Sequence, residues 1–168
     1  IVTTRGTSFA EQFLYSCFKQ LYPNALNRYK DKWCKYEYDI AIPEIKLYIE
    51  YSGYYWHYFK LDRDRAKELN CEEHNIRFID IYEFNIEAYT SDILVSNYIT
   101  IVRTSSIDYI NKLKGIVEYI LNKYAEPELI DEIDFKKAIE EAEEKMHPVQ
   151  YNIEHSDEYK EEMKVIKS

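Results

Sequence analysis

Asp39 and Glu50 stand on either side of a hairpin signal in the stretch from Lys35 to Gly53, and paired carboxylates are the chemistry that binds a hard divalent cation. If Pro43 to Lys46 form the connection, Ile42 faces Leu47, and three further steps along each antiparallel strand bring Asp39 opposite Glu50. A two-residue turn at Glu44 and Ile45 gives the same register. Strand alternation then places Glu37, Asp39 and Ala41 on one face with Tyr48, Glu50 and Ser52, and Tyr38, Ile40, Ile42, Leu47, Ile49 and Tyr51 on the core face. Directly opposed side chains have Cβ atoms about 4.5–5.5 Å apart, where two like charges destabilise a sheet. A cation between them would compensate.

Several elements must hold this hairpin. Ser8-Phe-Ala-Glu11 reads as a capping box ahead of an apolar stripe at Phe13, Leu14, Cys17, Phe18 and Leu21, with Pro23 closing a first helix. A first strand is expected at 26–33, followed by the hairpin pair. Residues 62–74 place Ala66, Leu69 and Glu73 at helical spacing, Asn75 suits a left-handed helix end, and 76–82 read as the next strand. A strand, helix, strand passage of this length sets the last strand parallel to one of the hairpin sheet. Ser106 precedes Ile107, Ile110, Leu113, Ile116, Val117, Ile120 and Leu121, a packing helix that ends near Tyr124 ahead of Pro127. A further acidic helix is expected at 135–146, then a marginally ordered charged tail after Pro148.

The chain has 168 residues, 46% of them hydrophobic, enough for one domain with a proper core plus an appendage. Its net charge of −9 is unevenly spread: residues 1–124 carry 17 acidic and 16 basic residues, and 125–168 carry 14 acidic and 6 basic. The expected division is therefore a core at 1–124 and an acidic C-terminal extension at 125–168. Arg28, Lys30, Lys32 and Lys35 precede Asp39, and Lys60, Arg63, Arg65 and Lys67 follow Glu50, so both basic clusters flank the carboxylate pair. For any one of them a solvated surface role is the simpler reading. Cys17, Cys34 and Cys71 form no CxxC pair and support neither a disulfide framework nor a zinc ribbon, which points to a reducing, cytoplasmic setting. No apolar run reaches the about 18–20 residues of a membrane span. The start at Ile1 rather than Met raises the expectation of an upstream specificity module on a longer polypeptide.

A helix carrying a glutamate, a strand ending in an aspartate, a strand reading Glu50-Tyr-Ser-Gly53, and a following helix and strand together resemble the restriction-endonuclease-like PD-(D/E)xK superfamily of metal-dependent nucleases. Within it, the run from Tyr38 to His57, with its Gly53-Tyr-Tyr-Trp-His57 segment, is similar to the branch of very-short-patch repair and phage homing endonucleases. The likeness covers residues 7–84. It implies an α/β fold with a helix, three strands, helix, strand core, a mixed sheet flanked by helices, and here a C-terminal helical extension. It also implies hydrolysis of DNA phosphodiester bonds with Mg²⁺, for which Mn²⁺ would substitute. Asp39 would be the metal-binding aspartate, Glu50 the acidic residue of the second motif, Glu11 the glutamate of the first helix, His57 the histidine after the glycine, and Asp64 with Lys67 the polar pair of the next helix. Ser52 stands where the superfamily has lysine.

The chemistry of the side chains agrees with these roles. Mg²⁺ usually takes one or two carboxylates plus water and phosphate oxygens; Asp39 and Glu50 supply the first, and the Tyr51 carbonyl a third protein ligand. With no lysine at 52, His57 has an intrinsic pKa near about 6.5 suited to handling the attacking water, with Lys67 as charge partner. Structural alternatives stand beside each role. Glu11 would complete the capping box with Ser8, His57 would be a satisfied, partly buried histidine, Asp64 would be a first-turn helix charge, and Tyr54, Tyr55 and Trp56 would be core rather than a lid over the metal or a wedge into DNA. The leading expectation is a Mg²⁺-dependent DNA endonuclease of homing or repair type. The alternative is a degenerate nuclease fold that binds nucleic acid or a protein partner without cutting.

Overall fold

The computed structural model describes residues 7–33, 35–53, 60–84 and 92–146. Among these, five strands form one mixed sheet in the order β1 (Leu26–Tyr29), β2 (Tyr38–Ile42), β3 (Leu47–Gly53), β4 (Arg77–Phe84) and β5 (Tyr98–Val102). β1, β2 and β3 pair antiparallel; β3, β4 and β5 pair parallel. The helices are α1 (Phe9–Leu21), α2 (Leu61–Glu73), α3 (Ser106–Tyr124) and α4 (Phe135–Met146). The expected sequence of helix, three strands, helix and strand is present within a mixed α/β fold. No helix among the described residues is long and apolar enough to cross a membrane.

The hairpin has the register read from its turn. Pro43–Ile45 makes one 3-10 turn, Lys46 takes the left-handed conformation at φ 49°, and its N–H donates to the Pro43 carbonyl. Ile42 then faces Leu47, Ala41 faces Tyr48 and Ile40 faces Ile49. Each face has its own cover. Ile40, Ile42, Leu47, Ile49, Ile79 and Ile81 pack with Phe13, Leu14 and Phe18 of α1 and Leu113, Val117 and Ile120 of α3. On the other face Ala41, Tyr48, Phe78 and Tyr82 gather with Cys71 of α2.

Tyr38 departs from the expected alternation. It belongs with Tyr48 and Ala41 on the α2 side, its O–H donating to the Lys67 carbonyl at 2.9 Å, rather than with Ile40 and Ile42. Between Tyr38 and Ile40 the Asp39 N–H donates to the Glu50 carboxylate of the facing strand instead of to a strand carbonyl, and the β2–β3 ladder stops at Ile40. The first strand is also shorter than 26–33: it ends at Tyr29, which pairs with Tyr38, and Arg28 within it adopts φ 56°.

β5 has no counterpart in the sequence reading. Its lead-in is tied to α2 by Glu68, a fully buried carboxylate that accepts the N–H groups of Ser96 at 2.7 Å and Asn97 at 2.9 Å while pairing with Arg65. The extension expected from residue 125 carries, as far as it is described, a helix packed on the core. α4 buries Ala138 and Ala142 in the core beside α1, Phe135 stacks on Phe13, and the Ser16 hydroxyl donates to Glu141 at 2.5 Å. The tail expected after Pro148 lies outside the described residues.

Candidate active-site cleft

At the C-terminal ends of β3 and β4 the surface opens into a cleft of about 1110 Å³, and Glu11, Asp39, Glu50, Tyr51, Asp64 and Lys67 all line it. They come from α1, β2, β3 and α2. His57, together with Tyr54, Tyr55 and Trp56, lies outside the described residues.

Asp39 and Glu50 grip each other's strand. One step past the Ile40–Ile49 pair, the Asp39 N–H donates to Glu50 Oε1 at 2.8 Å, and the Tyr51 N–H donates to Asp39 Oδ2 at 2.9 Å. The two residues expected to face each other are thus neighbours, joined past the end of the ladder by carboxylate-to-backbone bonds rather than as a regular strand pair. Each carboxylate accepts from the backbone of the facing strand, so both groups are fixed where their charges repel. Burial raises the Asp39 pKa well above the ordinary carboxylate range, and Glu50 and Glu11 push it further. Burial raises Glu50 as well, even against the lowering effect of Lys67.

Glu11 does more than cap. Its backbone N–H bonds the Ser8 hydroxyl at 3.1 Å, the backbone half of the capping box, while its Oε2 accepts from Asn27 Nδ2 at 2.9 Å. Asn27 also donates to the Asp39 carbonyl at 2.9 Å, which links α1, β1 and β2 behind the site. Burial raises the Glu11 pKa, bonds from Asn27 and Thr7 oppose the rise, and repulsion from Glu50 adds to it.

Lys67 reaches from α2 into the carboxylate pair. Its Nζ donates to Glu50 Oε2 and to the Glu37 carbonyl, each at 2.8 Å. Burial alone would lower its pKa, but the Glu50 carboxylate raises it on balance, so the side chain is an ammonium at neutral pH. Position 52 has a different task. The fully buried Ser52 hydroxyl donates to Asp80 Oδ1 at 2.7 Å, beneath α2 and apart from the cleft lining. Asp80 is itself fully buried, with Oδ2 lacking a hydrogen-bond partner, and burial raises its pKa far above normal, helped by Asp64 and Glu50. Asp64 is no mere first-turn charge, since it is buried and accepts the Tyr82 O–H at 2.8 Å.

Of the two basic clusters, Lys60, Arg63 and Lys67 reach the cleft. Arg65 turns away to Glu68 and Glu72, and Arg28 pairs with Glu37 at 3.0 Å. Glu83 and Arg103 line the cleft without having been anticipated. Glu83 follows the period-two pattern of β4 and was legible as an inward polar residue; Arg103 carried no signal, because β5 was not recognised.

No set of three or more His, Cys, Asp or Glu side chains among the described residues closes on a point that would hold a metal by itself. The residues present still fit a divalent cation. A buried Glu50 and a half-buried Asp39, mutually repelling, are the protein share that Mg²⁺ usually takes, with water and phosphate oxygens completing the shell. Compared with family models, curated proteins and solved structures, the chain shows no match.

Proposed function

We propose that this chain is a Mg²⁺-dependent endonuclease domain acting on DNA phosphodiester bonds. The observation that supports it is the convergence of Glu11, Asp39, Glu50, Asp64 and Lys67 from four separate elements on one cleft. Asp39 and Glu50 would hold the ion with the Tyr51 carbonyl, and Glu11 would act as an outer ligand. When bound, Mg²⁺ lowers the pKa of a coordinated water and neutralises charge developing on the phosphate. Lys67 supplies positive charge beside Glu50 that a lysine at position 52 would otherwise bring. As an ammonium it cannot serve as the base, and that role falls to His57.

Ser52 motivates the second reading, a nuclease fold that binds nucleic acid or a protein partner without cutting. Supercoiled plasmid incubated with Mg²⁺, Mn²⁺ or EDTA separates the two. Metal-dependent nicking that disappears in Asp39→Ala is the expected result. No nicking by folded protein in either metal would leave the binding reading.

A further inference from the structure

The cleft has two basic lips, one on each face of the sheet. Lys60 and Arg63 belong to the start of α2, and the Arg63 guanidinium lies 5.9 Å from the Tyr36 ring. Across the sheet edge, Arg103 follows the last residue of β5, where its N–H donates to the Phe84 carbonyl at 2.9 Å. That bond carries the parallel ladder one residue further and places Arg103 beside the C-terminal end of β4. This edge is where open sheets with parallel strands receive ligands.

The Arg103 side chain is held and yet presented. Its guanidinium carbon lies 5.4 Å from the Tyr109 ring centroid, and Nη1 is 3.9 Å from Glu83 Oε2, too far for a hydrogen bond. The side chain remains 62% exposed. Glu83, by contrast, is fixed: the Tyr51 O–H donates to its Oε1 at 2.6 Å and the Tyr109 O–H bonds the same oxygen. Together they form a rigid mount: a carboxylate that keeps the arginine over the cleft mouth and a ring that supports its stem. Among the described residues the N–H fork is left for two oxygens of a phosphate.

Resting on the proposed function, the geometry points to Arg103 as a backbone-phosphate contact for a nucleic-acid strand that crosses the sheet edge between Arg103 on one side and Lys60 with Arg63 on the other. A polyanion entering over Asp39 and Glu50 meets acidic groups on the floor, so its attraction must come from the lips.

The test is duplex binding by fluorescence anisotropy across a salt series in Asp39→Asn protein, which cannot consume the probe. Into that background go Arg103→Gln, which keeps the stem over Tyr109, Arg103→Lys, which keeps the charge, and Lys137→Ala on α4 as a distant control. Arg103→Gln is expected to weaken binding by about tenfold at about 50 mM salt and to reduce the salt slope by about one, with Arg103→Lys intermediate and Lys137→Ala unchanged. Thermal melts establish that each variant is folded. Binding within twofold of the parent, with an unchanged slope, overturns the phosphate contact and leaves the nuclease reading standing. Absence of duplex binding by parent and variants alike overturns both.

Discussion

At the residue scale, Asp39 is a carboxylate held at a cost to stability. Its folded-state pKa lies above its unfolded value, so between the two the folded state binds more protons and stability falls as pH rises. In EDTA the melting temperature of the native protein should therefore climb as pH is lowered from 7 toward about 5, before general acid denaturation takes over. Asp39→Asn removes the repulsion while its amide oxygen still accepts the Tyr51 N–H. It should melt higher than the native protein at pH 7, show a flatter pH response in differential scanning fluorimetry, and fail to nick plasmid. A lower melting temperature would mean that the carboxylate pair is not repulsive. Lys67→Met should lower the cleavage rate by about 10²–10³, the usual cost of losing one charge-stabilising donor, with Lys67→Arg in between. Ser52→Ala should leave the rate within about twofold yet cost about 1–3 kcal/mol in urea unfolding, because Asp80 loses the partner of its Oδ1. A large rate loss in Ser52→Ala would return position 52 to the chemistry.

At the scale of elements, α1 is held on both sides. It presents Glu11 to the cleft, buries Phe13, Leu14 and Phe18 against the sheet, and carries α4 on its outer side. Cutting the chain after Tyr124 would strip that support. A milder perturbation tests the same dependence: Phe135→Ala loses the stack on Phe13 and should cost about 2–4 kcal/mol. For a chain of this size that corresponds to a fall of roughly 5–15 °C in melting temperature. Plasmid cleavage per folded molecule should be unchanged, because no described residue after Arg103 in the chain lines the cleft. A melting temperature within a degree or two would show α4 to be an appendage after all.

At the scale of the whole molecule, the net charge of −9 predicts poor affinity for a polyanion, whereas its distribution does not. The acidic excess after residue 124 leads through α4, which sits on α1, and the cleft mouth carries Lys60, Arg63 and Arg103. About three phosphate contacts imply a slope near −3 for log affinity against log salt, measurable by duplex binding with Asp39→Asn protein. A slope near zero would show that these lips do not meet phosphate, and one near −8 would require a far larger basic surface than the cleft provides.

The amino-acid sequence by itself determined the hairpin and its chemistry. Alternation about Pro43–Lys46 leaves one register that buries Ile40, Ile42, Leu47 and Ile49 together, and one step past its end Asp39 and Glu50 bond each other's strand. Apolar stripes likewise mark α1 and α3, and helical spacing of Ala66, Leu69 and Glu73 marks α2, because such periodicity is a local property of the chain. What lay between distant segments was not legible. Lys67 lies 17 positions from Glu50, and only the packing of α2 on the sheet brings its Nζ to the carboxylate in place of a side chain from position 52. Tyr38 lies on the α2 face, beside the tertiary bond from the Asp39 N–H to Glu50. β5 is short, its lead-in is pinned by Glu68 from another element, and it became a strand only by pairing with β4; Arg103 and the far lip of the cleft came with it. Periodicity records what each segment must bury, and tertiary packing decides which buried or charged groups from separate segments meet.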